Sequence, residues 1–413
     1  MQSLYRRPLP DGSIAFASAD GRALFKEALS AGTLESYFAL AEQHHTQADP
    51  AFCGLASLVV ALNALAIDPG RLWKGPWRWF SEEQLDCCVS LAQVQAHGLT
   101  ADELACLATC NGATSRLQRA ETSSAETLRA VIVKSSRSGA SPVLIASYSR
   151  RILGQTGSGH FSPLAGYHEE QDRVLILDVA RFKYSPHWVR VEDLFRAMQD
   201  MDPVTSRSRG WIELERAPSP RNLAFVFTHR GGGWQRIATF LEHEARALLA
   251  AQRPPSADAA LRVLFGAAEA AATGIALRET TDEHHRRAVE SVLSELRATA
   301  PFAVARAVCT QVPPELVTAL FYLLPDTTWS GLEADVAGEL CRAGRVEELA
   351  EPLSSDLSVL RRQLRELQCS AVTTACQNQS CEAPSSTPIP NRDQPNVSSP
   401  VSVPLPPNSP SST

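Results

Sequence analysis

QADPAFCGLASLVVALNAL, residues 47–65, places one cysteine, Cys53, at the head of a run of Ala, Leu and Val. Pro50 suits a first helical position and Asp49 stands where a cap belongs. The run stops before Asp68-Pro69-Gly70, a turn signal. The pattern predicts a helix over 50–65 with Cys53 in its first turn. Two readings of that cysteine compete. Free cysteine is among the most buried residue types, so packing is the plain expectation. The first helical turn, however, favours negative charge through the dipole and unpaired N–H groups, and there a thiol's pKa falls. A facing imidazolium takes such a thiol from about 8.5 to roughly 3–4. A nucleophile also needs a base and donors for the oxyanion, so the rest of the chain decides.

Three apolar stretches bounded by turn residues read as strands: PVLIASYS (142–149), HFSPLAGYH (160–168) and RVLILDVA (173–180). Glu169–Asp172 reads as a hairpin turn between the last two. A turn centred near residue 170 sets His160 opposite roughly residue 181 and Asp178 opposite roughly residue 163. His160 and Asp178 then lie at one end of the hairpin, where a carboxylate holds one imidazole nitrogen and the other faces a thiol. Gln47, six residues before Cys53, offers a side-chain amide to the oxyanion beside the Cys53 N–H. The glycine-rich turn Gly154–Gly159 lets backbone approach a ligand closely. The plain alternatives are a satisfied strand-edge histidine and a carboxylate capping a turn. The chain order Cys, His, Asp, with a preceding glutamine, resembles papain-like cysteine proteases.

The bulk numbers bound the class. The chain's 413 residues suffice for two domains. Hydrophobic content of 44% and charged content of 20% are those of a globular protein. A net charge of −6 gives no basic field, so nucleic acid is excluded as an expected partner. No apolar run reaches the ~18 residues of a membrane span, and MQSLYRRPLPDGS lacks the apolar region of a secretory signal. A cytoplasmic protein without membrane association is expected. Ten cysteines fall far below the density of a disulfide scaffold, so thiols are expected.

The expected architecture is α+β over residues 1–220, then a mainly α-helical domain over 221–368. Residues 22–42 read as helical with a break at Gly32. Ser81–Gln84 has capping-box spacing and predicts a helix carrying Cys87 and Cys88. Thr100–Glu103 opens another, carrying Cys106 and Cys110 and closed by Asn111-Gly112. A helix with Leu194, Phe195 and Met198 precedes a strand at 211–214. Residues 216–223 read as a linker, and Ala-, Leu-, Glu- and Arg-rich helical periodicity follows from about 235. From Cys369 to Thr413 lie nine of the 27 prolines and only three charged residues, so 369–413 is expected to be a disordered Pro/Ser-rich tail.

The wording of the motifs is more specific than their spacing. SLYRRPLP, QADPAFCGLASL, NALAIDPGRLWKGPWRWF, LDCC, QTGSGHFSPLAGY and LILDVARFKYSPHW resemble the phytochelatin synthases, glutathione γ-glutamylcysteinyltransferases, over residues 3–215. A weaker likeness continues at 323–331 (LLPDTTWSG) and 360–367 (LRRQLREL). The resemblance implies a papain-like N-terminal fold and an acyltransferase. Cys53 attacks the Cys–Gly carbonyl of glutathione, His160 protonates the departing glycine, Asp178 orients His160, and Gln47 completes the oxyanion hole. A second glutathione then takes γ-Glu-Cys from the thioester. A hydrolase that stops at γ-Glu-Cys uses the same residues, and a thiol-rich metal-binding scaffold is the alternative outside enzymes.

No organic cofactor is implied, but activation by thiophilic ions (Cd, also Zn and Cu) is, as glutathione thiolates or through protein thiols. Expected partners are glutathione and metal–glutathione complexes. A homodimer is compatible with the sequence and not fixed by it. The acceptor is anionic, so Arg150, Arg181 and Lys183 are candidate carboxylate contacts, with Arg151 nearby; solvated charge is their plain reading. Cys87, Cys88, Cys106 and Cys110 are candidate metal contacts, though none has the C-x2-C spacing of a structural zinc site. Cys369, Cys376 and Cys381 hold metal loosely at most, and His284-His285 read as a solvated helix start. The second domain is expected to stabilise the enzyme and tune its metal response. Phe52 stands where plant members carry tyrosine, so any hydroxyl contact there is lost.

Overall fold

The apolar runs before and after the glycine-rich turn become adjacent strands at the centre of one sheet. The computed structural model describes residues 5–139, 141–217, 224–228, 233–278 and 283–371. The first half runs β1 (Ile14–Ala15), α1 (Ala19–Ser30), α2 (Glu35–Gln43), α3 (Cys53–Ala64), α4 (Leu91–His97), α5 (Ala101–Cys110) and β2 (Ala113–Arg119). It continues through α6 (Ala125–Ser136), β3 (Val143–Ser149), β4 (Gly159–His168), β5 (Arg173–Ile176), β6 (His187–Arg190), α7 (Val191–Gln199) and β7 (Gly210–Arg216).

The seven strands form a single sheet in the order β1-β6-β5-β4-β3-β7-β2, every neighbouring pair antiparallel. Helices cover both faces. Along β3, Val143 and Ile145 enter the core shared with α3, whereas Leu144, Ala146 and Tyr148 enter the core shared with α6 and α7. A strand buried on both faces reads as a continuous apolar run, which is how 142–149 looked in sequence. In α3, Leu55, Leu58 and Leu62 are fully buried, each contributing about 1.5–3 kcal/mol.

The hairpin register agrees with its expectation to within a residue: His168 faces Arg173, and a shift between Leu164 and Tyr167 sets Leu164 opposite Ile176. Strand β5 ends at Ile176, so Asp178 lies past the strand rather than in it. The 22–42 segment divides into α1 and α2 around Gly32, whose φ is +68°. The Thr100/Glu103 capping box opens α5 as expected. The Ser81 spacing does not open a helix. Glu82–Gln84 is one 3-10 turn, Cys87 and Cys88 lie in a bend, and α4 starts later on its own capping box, Ser90 with Gln93. The box does not close because the Gln84 amide donates instead to the Leu72 carbonyl at 3.2 Å, and the neighbouring Glu82 carboxylate takes the Ala48 N–H at 3.0 Å.

The second half is mainly helical, with a two-stranded ribbon of β8 (Phe225–Phe227) and β9 (Ile275–Leu277). Its helices are α8 (Gly233–Thr239), α9 (Ala245–Gln252), α10 (Ala257–Ala272), α11 (Glu283–Arg297), α12 (Ala300–Val308), α13 (Pro314–Tyr322), α14 (Ala334–Ala343) and α15 (Leu353–Ala371). A π-helical turn at Phe240–Glu244 joins α8 to α9. Helix α15 packs along α5, and buried Asp356 accepts the Ala224 N–H at 3.1 Å. Residues 218–223 of the expected linker, the side chains of His284, His285 and Cys369, and the tail from 372 onward lie outside the described residues, whereas 369–371 of the expected tail are the last turn of α15. Among the described residues, no helix is long and apolar enough to cross a membrane.

Candidate active site

Helix α3 begins at Cys53 itself, three residues later than the composition suggested. Pro50–Phe52 form a turn in which Asp49 Oδ1 accepts the Ala51 N–H and the Asp49 carbonyl accepts the Phe52 N–H, both at 2.9 Å. Phe52, not Asp49, is the N-cap residue. The backbone N–H groups of Phe161, on β4, and of Gly54 point at the sulfur. They oppose burial without overcoming it, and the Cys53 thiol is pushed above its ordinary value. The expected depressed pKa is therefore corrected. Desolvation at this site outweighs the helix terminus, and the resting sulfur is a thiol.

His160 begins the β4 side of the site and is 4% exposed; Asp178 is 0% exposed. His160 Nε2 lies 3.1 Å from Asp178 Oδ1. Arg150 Nη2 donates to the same oxygen at 2.9 Å, sits 2.8 Å from Oδ2, and approaches His160 Nε2 to 2.8 Å. A guanidinium only donates and a carboxylate only accepts. Nε2 therefore faces a donor and an acceptor at once: in the tautomer that gives Nε2–H to Asp178, Nδ1 is the basic nitrogen of the ring, and in the other Nε2 accepts from Arg150.

Arg150 is fixed in turn. Its Nη1 donates to Gln155 Oε1 at 2.5 Å, and Gln155 Nε2 lies 3.0 Å from His187 Nε2. His187 Nδ1 is 2.8 Å from the Ser185 carbonyl, which only accepts, so His187 Nε2 accepts from Gln155 and the amide orientation follows. Burial, then the Arg150 cation, lower His160 to about 4, so its imidazole is neutral at neutral pH. Burial alone would raise Asp178; the charges of His160 and Arg150 overcome it and hold the carboxyl well below its usual range.

These groups open onto a cavity of about 770 Å³ lined by Cys53, His160, Arg150, Lys183 and Arg209. Other parts of its wall come from α4 with the loop that follows it, from Gly157–Gly159 and from Asp202–Val204. The remaining candidates fall in different places. Gln47 is buried, and its amide nitrogen donates to the carbonyls of Asp49 (2.8 Å) and Pro50 (2.9 Å), off the cavity wall. Arg181 is exposed and also off the wall; its charge acts on His44 and His45. Arg151 faces Asp200 at 3.3 Å. Arg150, read in sequence as a substrate contact, lines the cavity with its guanidinium already committed to Asp178 and Gln155.

The sulfurs of Cys87, Cys88 and Cys110 lie within 4.8 Å of one another. Cys106 is fully buried next to Cys88 and is not part of that group of three. Thiol hydrogen bonds from Cys87 and Cys88, then Arg278, pull Cys110 well below the ordinary thiol value.

Sequence reasoning passed over Arg209, whose guanidinium is 3% exposed at the cavity wall. A Cβ at Gly159 would stand 3.3 Å from its Nη2, so the glycine directly before His160 was the available signal. It also passed over Glu82, which braces the loop before Cys53 through Ala48 and through His45 at 3.4 Å.

Fold and site define an α+β protein in which a helix-terminal thiol and a carboxylate-held imidazole open onto one cavity. The phytochelatin synthase family model matches residues 4–211, and the chain belongs to that family. It is 44% identical over 266 residues to a glutathione gamma-glutamylcysteinyltransferase 1 of Arabidopsis thaliana, covering 64% of this chain and 55% of the relative. With one of the same name from Triticum aestivum it shares 48% over 248 residues (60% of this chain, 49% of the relative). With the glutathione gamma-glutamylcysteinyltransferase of Schizosaccharomyces pombe it shares 39% over 244 residues (59% and 58%). The chain spans about half the length of the curated relatives it matches.

Proposed function

We propose that the protein is a phytochelatin synthase, a dipeptidyl transpeptidase acting on glutathione. The observation that carries this is the buried His160–Asp178 pair opening onto the same cavity as Cys53. The relatives' names, glutathione gamma-glutamylcysteinyltransferases, supply the substrate.

In this reading His160 Nδ1 takes the thiol proton as Cys53 attacks the carbonyl joining cysteine to glycine. A C–S bond forms, the C–N bond breaks, and the same proton leaves on the glycine amine. The α-amino group of a second glutathione, or of a growing product, then attacks the thioester and restores the thiol. Because both partners rest neutral, proton transfer accompanies attack instead of preceding it. The Cys53 N–H, at the first helical position, faces the developing oxyanion; Gln47 joins it by releasing one of its two carbonyl partners. Arg150 acts by holding Asp178. Lys183, on the wall, is the cation left for a glutathione carboxylate; Arg209 beside it is already held by the Asp200 carboxylate at 3.4 Å and by the Asp200 and Met201 carbonyls, and exposed Arg181 serves an incoming chain from outside the wall.

A papain-like N-terminal fold fits a cysteine-bearing helix packed on the sheet that carries the histidine. The division at residue 220, a cytoplasmic setting and a homodimer belong to the same proposal. Thiophilic ions enter as metal–glutathione co-substrate or at the Cys87, Cys88 and Cys110 sulfurs, with Cys106 behind them. Thiolate sulfur suits such ions.

The test is incubation with glutathione, with and without Cd²⁺, followed by mass analysis. A product ladder spaced by γ-Glu-Cys, absent in Cys53→Ser, is expected. Dipeptide and glycine alone would make the protein a hydrolase. Metal binding without any turnover would make it a scaffold.

A further inference from the structure

Beside Lys183 of the cavity wall lies a cation, Arg7, that neither the site description nor the reaction has used. The N-terminal arm runs along the turn that bears Lys183: the Arg7 N–H donates to the Lys183 carbonyl at 2.9 Å. Pro10 of the same arm packs against Gly154, where a Cβ would come within 3.1 Å of its side chain. The Lys183 ammonium lies over Gly157, 3.0 Å from where a Cβ would sit. The arm, the glycine-rich turn and the 180–184 turn thus form one continuous edge.

Arg7 is exposed, Lys183 half-buried, and neither has a carboxylate within ion-pair distance among the described residues. Asp178, whose charge reaches Lys183, is committed to Arg150 and His160. Burial, then repulsion from Arg150 and Arg7, lowers the Lys183 pKa. Like charges held together without a counter-ion cost stability, and an anion that binds there recovers it.

The acceptor's chemistry supplies such an anion in increasing amounts. Glutathione carries two carboxylates and one ammonium. Each added γ-Glu-Cys unit brings one more α-carboxylate, while the previous amine becomes an amide and the new one replaces it. Net charge therefore becomes one unit more negative with every cycle.

We propose that Arg7 continues the cationic edge outward from Lys183 and selects acceptors longer than glutathione by holding the carboxylates that elongation adds. Arg7 touches neither reacting atom; it sets which chain is extended. The inference rests on the transfer reading above, and the two fail differently.

The experiment compares the wild-type chain, Arg7→Ala and Arg7→Lys, with Arg306→Ala as an exposed charge control on α12. Each is given preformed donor and either glutathione or (γ-Glu-Cys)3-Gly as acceptor. Expected is a two- to fivefold drop in the longer acceptor's kcat/KM relative to glutathione's for Arg7→Ala, about the factor one exposed ion pair carries. The drop lies in acceptor KM, is recovered in Arg7→Lys, is absent in Arg306→Ala, and shrinks as salt screens the charges. The product ladder of Arg7→Ala is correspondingly shorter. A wild-type ladder with the same acceptor preference in Arg7→Ala overturns the inference and leaves the transfer reading intact. No ladder from the wild-type chain overturns the transfer reading itself.

Discussion

Replacing Arg150 by methionine removes a charge while keeping most of the side chain's length. Arg150 and Asp178 are 2% and 0% exposed, and the guanidinium meets both carboxylate oxygens below 3 Å. In Arg150→Met the carboxylate keeps only His160 and the Ala180 N–H, the latter at 2.9 Å. Breaking a buried pair from one side costs about 3–5 kcal/mol, because the other charge stays buried and uncompensated. For a chain of this size that is a fall in Tm of roughly 3–6 °C.

The same substitution acts on His160. The Arg150 cation is second only to burial in lowering the imidazole to about 4, and Asp178 opposes both. Without the cation, the carboxylate raises the imidazole pKa, and protonation enters the range above pH 4 where the wild-type ring is neutral. An imidazolium cannot accept the thiol proton, so the acid limb of kcat/KM for glycine release moves to higher pH. Differential scanning calorimetry reads the first effect. The Cε1 shift of ¹³C-labelled His160, followed against pH, reads the second without reference to substrate. A variant that melts within about 1 °C of wild type, and whose His160 titrates unchanged, would refute the account of Arg150 as the holder of this pair.

Two further outcomes are expected. His160 and His44 are each lowered to about 4, chiefly by burial, from the ordinary 6.5. Between these values the unfolded chain binds protons that the folded chain does not. This contribution is complete above pH 6.5 and is lost as pH falls toward 4, about 3 kcal/mol for the fully buried His160. Melting curves across pH 4–7 check it, and a Tm that rises on acidification contradicts it. Gly210→Ala sets a Cβ 1.9 Å from the Gln118 carbonyl oxygen across the β7–β2 pair. Backbone must move, at a cost of about 1–3 kcal/mol read by urea unfolding, and an unchanged midpoint removes the close approach.

Sequence alone determined the features that depend on near neighbours. The β4–β5 hairpin register followed from an apolar run on either side of Glu169–Asp172, because period-two patterning and a short turn fix pairing locally. The α5 capping box followed from Thr100 and Glu103 for the same reason. That His160 and Asp178 would meet at one end of the hairpin was legible from the same local pairing. Strand β2 was not legible: ATSRLQR is largely polar, and its place at the sheet edge comes from pairing with β7, about a hundred residues away. Only the tertiary structure decided the protonation state of the site. Whether Cys53 rests as thiol or thiolate depends on how much water the fold removes from the sulfur and on where Arg150 points. Arg150 lies against Asp178, not against a substrate, because strands distant in sequence bring a buried carboxylate to it. Desolvation and Coulomb energies are set by distances through space, and composition along the chain does not contain them.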